Sequence, residues 1–203
     1  MRTLTAMALV LLAGCGTQPG KAPSAPVSTA ATAPVPSETA GREIRTTPRP
    51  ANKAVLDAQG VIFDSPAGKT REFVFGSLRT EVDGLAERMF GHPDERSRND
   101  ECGAGPIEFS RYGPLTLNFQ DGKLVGWLAH EGAQVVTSDG IRPGTKLRDL
   151  RVARSVRMIP DSTLEGEFDY LAADGHPIGG FVKGQGRDAT VDSLYAGVNC
   201  FFR

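Results

Sequence analysis

The sequence predicts an α+β domain of two tandem units. Each unit is a helix followed by an antiparallel meander; the strands form one sheet and the helices lie on one face. Three observations carry that expectation. Short β-type runs recur from residue 61 to residue 195, most of them bounded by glycine, proline or Asp-Gly turns. Val82, Leu85, Met89 and Phe90 recur at helical spacing from about Thr80, and Gly91-His92-Pro93 stops the segment. Gly144-Thr145-Lys146-Leu147-Arg148-Asp149-Leu150 then repeats the order of Gly76-Ser77-Leu78-Arg79-Thr80-Glu81-Val82. Both read glycine, small hydroxyl, three residues, acid, aliphatic.

The chain begins with Arg2 and an apolar run over 4–13, after which Ala13 and Gly14 lead into Cys15. A charged start, a short apolar core and a small-residue end are the layout of a bacterial secretory signal. The run is about half the roughly 20 residues that a membrane-spanning helix needs. Leu12-Ala13-Gly14-Cys15 resembles the lipobox of bacterial lipoproteins. That resemblance implies cleavage before Cys15, diacylation of its thiol and a third acyl chain on the new amino group. Two or three chains, at about 0.8 kcal/mol per buried methylene, anchor stably where one does not. An Asp after the cysteine would resemble an inner-membrane retention signal. Gly16 stands there instead, which favours the outer membrane, facing the periplasm.

Residues 17–52 are rich in Pro, Ala, Thr, Ser and Gly, with almost no large apolar side chain. Such a segment cannot bury enough surface to offset chain entropy and is expected to be a disordered tether. The expected division is signal 1–14, lipidated cysteine and tether 15–52, and folded domain 53–203. The first unit would span 53–131 and the second 132–203.

Within the domain, 61–63 and 73–75 read as strands, followed by the helix from about Thr80. The segment 94–105 is polar and holds Cys102. Residues 107–109 form the next strand. Leu115, Leu117 and Phe119 alternate onto one face, Asp121-Gly122 marks a tight hairpin, and 124–128 return. Val135-Val136-Thr137 begins the second unit, whose helix opens at 144–150. The hydroxyl of Ser77 or Thr145 is placed to cap free amides, and the acid suits the positive helix end. Runs at 168–170, 178–182 and 191–195 answer the three strands of the first half.

The chain has 203 residues and a formal net charge of -1, which leaves no nucleic-acid signature. About 150 residues remain for folding once signal and tether are set aside, enough for one domain with a substantial core. Of three cysteines, Cys15 is taken by lipid. Cys102 and Cys200 then lie in an exported, oxidising compartment and are expected to form a disulfide. Closing a loop of roughly 100 residues is worth about 4.7 kcal/mol in the chain-entropy account. The alternative, a reactive thiol, lacks a CxxC partner or a histidine near in sequence.

The two halves, on the residues of 76–82 and 144–150 and the hairpin at Asp121-Gly122, resemble the tandem units of the β-lactamase inhibitor protein family. They are similar also to the small envelope lipoproteins of the SmpA/OmlA type. The tail Tyr195-Ala196-Gly197-Val198-Asn199-Cys200-Phe201-Phe202-Arg203 resembles that of a group of uncharacterised exported bacterial proteins. These resemblances imply an architecture and leave the partner open.

Chemistry is sparse. His92, His130 and His176 show no metal-ligand spacing, and two of them precede proline in turns. There is no Gly-x-Ser-x-Gly, P-loop or dinucleotide fingerprint. Glu101 and Glu108 form a carboxylate pair only if the fold brings them together; solvated acids are the plainer reading. No catalytic residue, cofactor or metal is therefore expected. Three residues stand out as partner contacts. Trp127, the one tryptophan, is either core or an exposed anchor on the sheet. Arg148 and Arg151 belong to the basic series Arg142, Lys146, Arg148, Arg151, Arg154 and Arg157, read as a solvated helix face or as a contact for anionic lipid or an acidic partner. The expected function is a membrane-anchored envelope lipoprotein that binds an envelope protein without catalysis. The alternatives are an envelope hydrolase with a carboxylate-only site and a small-ligand carrier with its pocket between sheet and helices.

Overall fold

The computed structural model describes residues 52–65 and 68–201. Cys15 and the segments expected to be signal and tether, up to residue 51, lie outside them. In chain order the elements are β1 (Lys53–Asp57), β2 (Gly60–Asp64), β3 (Thr70–Val74), α1 (Arg79–Phe90), β4 (Glu95–Asn99), β5 (Ile107–Tyr112), β6 (Leu115–Gln120), β7 (Lys123–His130), β8 (Val135–Thr137), α2 (Leu147–Ala153), β9 (Val156–Met158), β10 (Glu167–Leu171), β11 (Pro177–Lys183) and β12 (Thr190–Gly197).

This corrects the expected α+β class with a single sheet. The described residues are mostly β, with 46% of them in strands against 15% in helices, and the strands divide into two sheets. The smaller sheet has the order β3-β2-β1-β8. Its strands β1, β2 and β3 are joined by antiparallel hairpins, and β8 adds beside β1 in parallel. The helices have twelve and seven residues, too few to cover a sheet of eight strands. The small sheet packs against that surface as well. Ala54, Leu56, Val61 and Phe63 on its strands share one core with Leu115, Leu117, Trp127 and Phe168 on the large sheet. Trp127 is fully buried, and its indole N–H donates to the Asp57 carbonyl at 2.8 Å, tying one sheet to the other.

The larger sheet has the order β4-β5-β6-β7-β12-β11-β10-β9. It consists of two four-stranded meanders joined where β7 pairs antiparallel with β12. A helix precedes each meander, and both helix starts are built alike. The Gly76 amide donates to Leu124 O and the Gly144 amide to Val191 O, each at 2.7 Å. Return bonds run from the Leu124 amide to Ser77 O and from the Val191 amide to Thr145 O, each at 2.8 Å. Both glycines hold a positive φ, 97° and 90°, which other residues resist. The expected hydroxyl caps are absent: Leu78 and Lys146 occupy the cap positions, and neither helix has a side-chain cap. The meanders also break register at matching places, Asn118/Phe119 and Phe181/Val182. The two halves of the sheet can therefore be matched position by position.

Cys102 and Cys200 are joined in a disulfide across a sequence separation of 98 residues. The bond ties the loop after β4 to the C-terminal segment. Asn118 donates to Val198 O at 2.9 Å and to the Asn199 side-chain oxygen at 2.8 Å. Asn118 alternates with the core residues Leu117 and Phe119, so the C-terminal segment crosses the face of the sheet turned away from the core.

Candidate functional site

One row of residues on that outer face crosses all eight strands. It reads Glu95, Arg111, Thr116, Leu128, Tyr195, Gly179, Asp169, Arg157. Its ends are ion-paired: Arg111 Nε lies 3.4 Å from a Glu95 oxygen, and Arg157 Nε donates to Asp169 at 3.0 Å. Its centre is apolar and aromatic. Tyr195 lies across Gly179, where an added methyl would sit 2.3 Å from the ring carbon Cζ. The Tyr195 hydroxyl donates to Glu167 at 2.7 Å, and the hydroxyl of Ser162 donates to the other carboxylate oxygen. Glu167 is only 3% exposed, so these bonds satisfy a carboxyl group held away from water. Phe201 meets the Tyr195 ring edge-on at 4.8 Å between centroids, and Phe181 lies 5.5 Å from it. All three rings are half-buried and stand outside the main core cluster.

On the inner face of the first meander, α1 is fixed by charge. Arg79 Nε lies 3.0 Å from Asp83, its Nη1 meets Glu108, and its guanidinium sits 4.9 Å over the Phe119 ring. Asp83 also accepts from the Ser110 hydroxyl at 3.0 Å and the Tyr112 hydroxyl at 3.1 Å, with Arg96 3.9 Å away. Both Asp83 oxygens are thus engaged, and the cluster works as a clamp between α1 and β5. Burial, and then the neighbouring Asp83 charge, push the Tyr112 phenol well above its ordinary value of 10.0. The folded state therefore holds this proton more tightly than the unfolded chain does. The resulting stabilisation is complete below pH 10 and is lost as pH rises above it. Urea midpoints measured between about pH 9 and 11 should fall less steeply in Tyr112→Phe than in the parent; equal slopes would rule this linkage out.

The second meander differs at the matched positions. Arg79, Asp83, Arg96, Glu108 and Phe119 correspond to Leu147, Arg151, Met158, Gly166 and Val182 by helix position and strand register. The ionic filling is gone, and all five replacements line an open groove of about 630 Å³ between α2 and the sheet.

Of the residues singled out in the sequence, Cys102 and Cys200 are bonded to each other. Trp127 is core with no exposed surface, the first of its two readings, which removes it from the possible partner contacts. Arg148 is exposed beside Asp149 at 3.4 Å, while Arg151 borders the groove. Glu108 is held by Arg79 and Arg98, and Glu101 is exposed. His92 contacts Glu87, and His176 Nδ1 is 3.4 Å from Asp174. Among the described residues no three His, Cys, Asp or Glu side chains are placed to hold a metal. Sequence reading did not single out Phe181, Tyr195 and Glu167 as one site. The run of aromatics around Cys200 was the only available signal. No protein-family model, curated protein or solved structure matches this chain.

Proposed function

We propose that the chain is a lipid-anchored envelope protein whose domain binds a protein partner through the outer face of its eight-stranded sheet. One observation carries the reading: a row with an aromatic centre and ion-paired ends, Tyr195 being locked over Gly179 by Glu167 and Phe201. An apolar, aromatic centre inside a polar rim is the anatomy of a protein interface. A side chain already held in place loses little freedom on binding. Acylation of Cys15 and the tether to residue 52 would confine that face near a membrane and raise its effective concentration for a membrane partner. The resemblance to the β-lactamase inhibitor and SmpA/OmlA-type proteins leaves the partner open and adds no contact residue. Arg148 and Arg151 lie on α2, across the sheet from this face, so they are no part of the proposed surface.

The test is site-specific photocrosslinking in the native host. A probe at Leu128 should give a discrete protein adduct, and a probe at the exposed Val74 of the small sheet should not. Thr116→Arg, which crowds the row, should reduce the Leu128 adduct at least tenfold, the scale of a hot-spot loss. In Cys15→Ser the protein should leave the membrane fraction and the adduct should weaken. Adducts of equal yield from Val74, or a Leu128 adduct indifferent to Thr116→Arg, would defeat the surface assignment.

A further inference from the structure

We infer that the groove beneath α2 is a binding site for a single-chain amphiphile with an anionic head. The site is independent of the outer face proposed for a protein partner. The comparison of the two meanders carries the inference. In the first, Arg79, Asp83, Glu108, Arg96 and Phe119 contact one another between helix and sheet, and the opening that Glu108 and Phe119 border is smaller, about 340 Å³, with no α1 residue in its lining. In the second, the same places hold Leu147, Arg151, Gly166, Met158 and Val182, and the space stands open. The loss has a direction. An acid becomes arginine at 151, an acid becomes glycine at 166, and two arginines become leucine at 147 and methionine at 158. Walls that were ionic are now apolar, and one wall gains a cation.

The volume of about 630 Å³ lies within the roughly 300–1,000 Å³ of small-molecule sites, which are mostly apolar with a few placed polar groups. Gly166 keeps the floor open. It holds φ +73°, and an added methyl would lie 2.4 Å from Val182 O. Met158 stays 38% exposed although it sits on the core-facing side of β9, opposite Phe168. Helix α2 has seven residues against twelve in α1. The charges select the head group. Arg151 on α2 has no ion-pair partner among the described residues, and Lys183 borders the groove from β11. Lys183 is shared with Asp192 at 3.4 Å and Glu131 at 3.9 Å. Glu165 also borders the groove, so the anionic head belongs at Arg151.

The experiment uses the full chain carrying Cys15→Ser, so that no detergent competes. Octanoate, decanoate and dodecanoate, each below its micelle concentration, are titrated by calorimetry and by amide chemical shifts. Affinity should rise about two- to fourfold per added methylene, with shifts centred on Leu147, Met158 and Val182. Val182→Phe, which restores the first-half residue in a half-buried position, should weaken dodecanoate at least tenfold while the thermal midpoint is held. Arg151→Gln should weaken decanoate and leave 1-decanol unchanged. Phosphatidylglycerol vesicles should not shift these residues. A flat chain-length series, shifts elsewhere, or binding indifferent to Val182→Phe overturns the site. A response to vesicles and not to monomeric carboxylates overturns the free amphiphile as its ligand. Loss of the Leu128 crosslink would leave every one of these outcomes unaffected.

Discussion

Replacing Cys102 and Cys200 together with serine is expected to lower the unfolding free energy by about 3–5 kcal/mol. The bond closes a separation of 98 residues, and a loop of that size restricts the unfolded chain strongly. Bonds from Asn118 to Val198 and Asn199 remain in the variant, so the C-terminal segment keeps part of its seat. The loss should therefore reside mainly in the unfolded state, and urea midpoints should fall with near-native circular dichroism before the transition. Either single serine variant should match the double, since each removes the same bond. A change below about 1 kcal/mol in equilibrium urea unfolding would show that the crosslink leaves the unfolded ensemble largely unrestricted.

Trp127→Ala is expected to cost about 3–5 kcal/mol, the usual range for a large aromatic removed from a packed core. Trp127 is fully buried, faces the small sheet and donates to the Asp57 carbonyl at 2.8 Å. Truncation leaves a cavity where two sheets meet and an acceptor without its donor. Trp127→Phe keeps much of the ring, so it should cost less, about 1–3 kcal/mol, chiefly through the unpaired carbonyl. The ordering Ala, then Phe, then parent should appear in urea unfolding followed by circular dichroism. Because Trp127 is the only tryptophan, fluorescence of the parent reads this contact directly. Its native emission should be blue-shifted and should move red in the same transition. An exposed-type emission in the folded protein, or an alanine variant within about 0.5 kcal/mol of the parent, would contradict the packing of the two sheets.

What could be read from residues alone was whatever local periodicity and composition encode. The hairpin of Leu115, Leu117 and Phe119 around Asp121-Gly122 occurs where expected, as do the helix ending at Phe90 and the Cys102–Cys200 bond. In each case the signal lay within a few neighbours or in a choice among three cysteines. Strands β4 and β9 carried no such signal. Glu95–Asn99 reads Glu-Arg-Ser-Arg-Asn and Val156–Met158 has three residues, because both are sheet edges, where charge and short length discourage pairing with another chain.

Tertiary structure alone decided the rest. Pairing of β1 with β8, and of β7 with β12, joins segments distant in sequence, and nothing local says whether strands close into one sheet or two. Once formed, the second sheet buried Trp127 and took the covering role that longer helices would have filled. The row through Tyr195 exists only when eight strands stand in register, since each strand contributes one residue to it. The groove is further still from the sequence. Gly166, Val182 and Arg151 lie on three elements, and their significance comes from what Glu108, Phe119 and Asp83 do at the matching places. Physically, a sequence pattern records which side of a strand or helix prefers water. Which surfaces then meet, and which space between them is left unfilled, depends on contacts between residues that the pattern never compares.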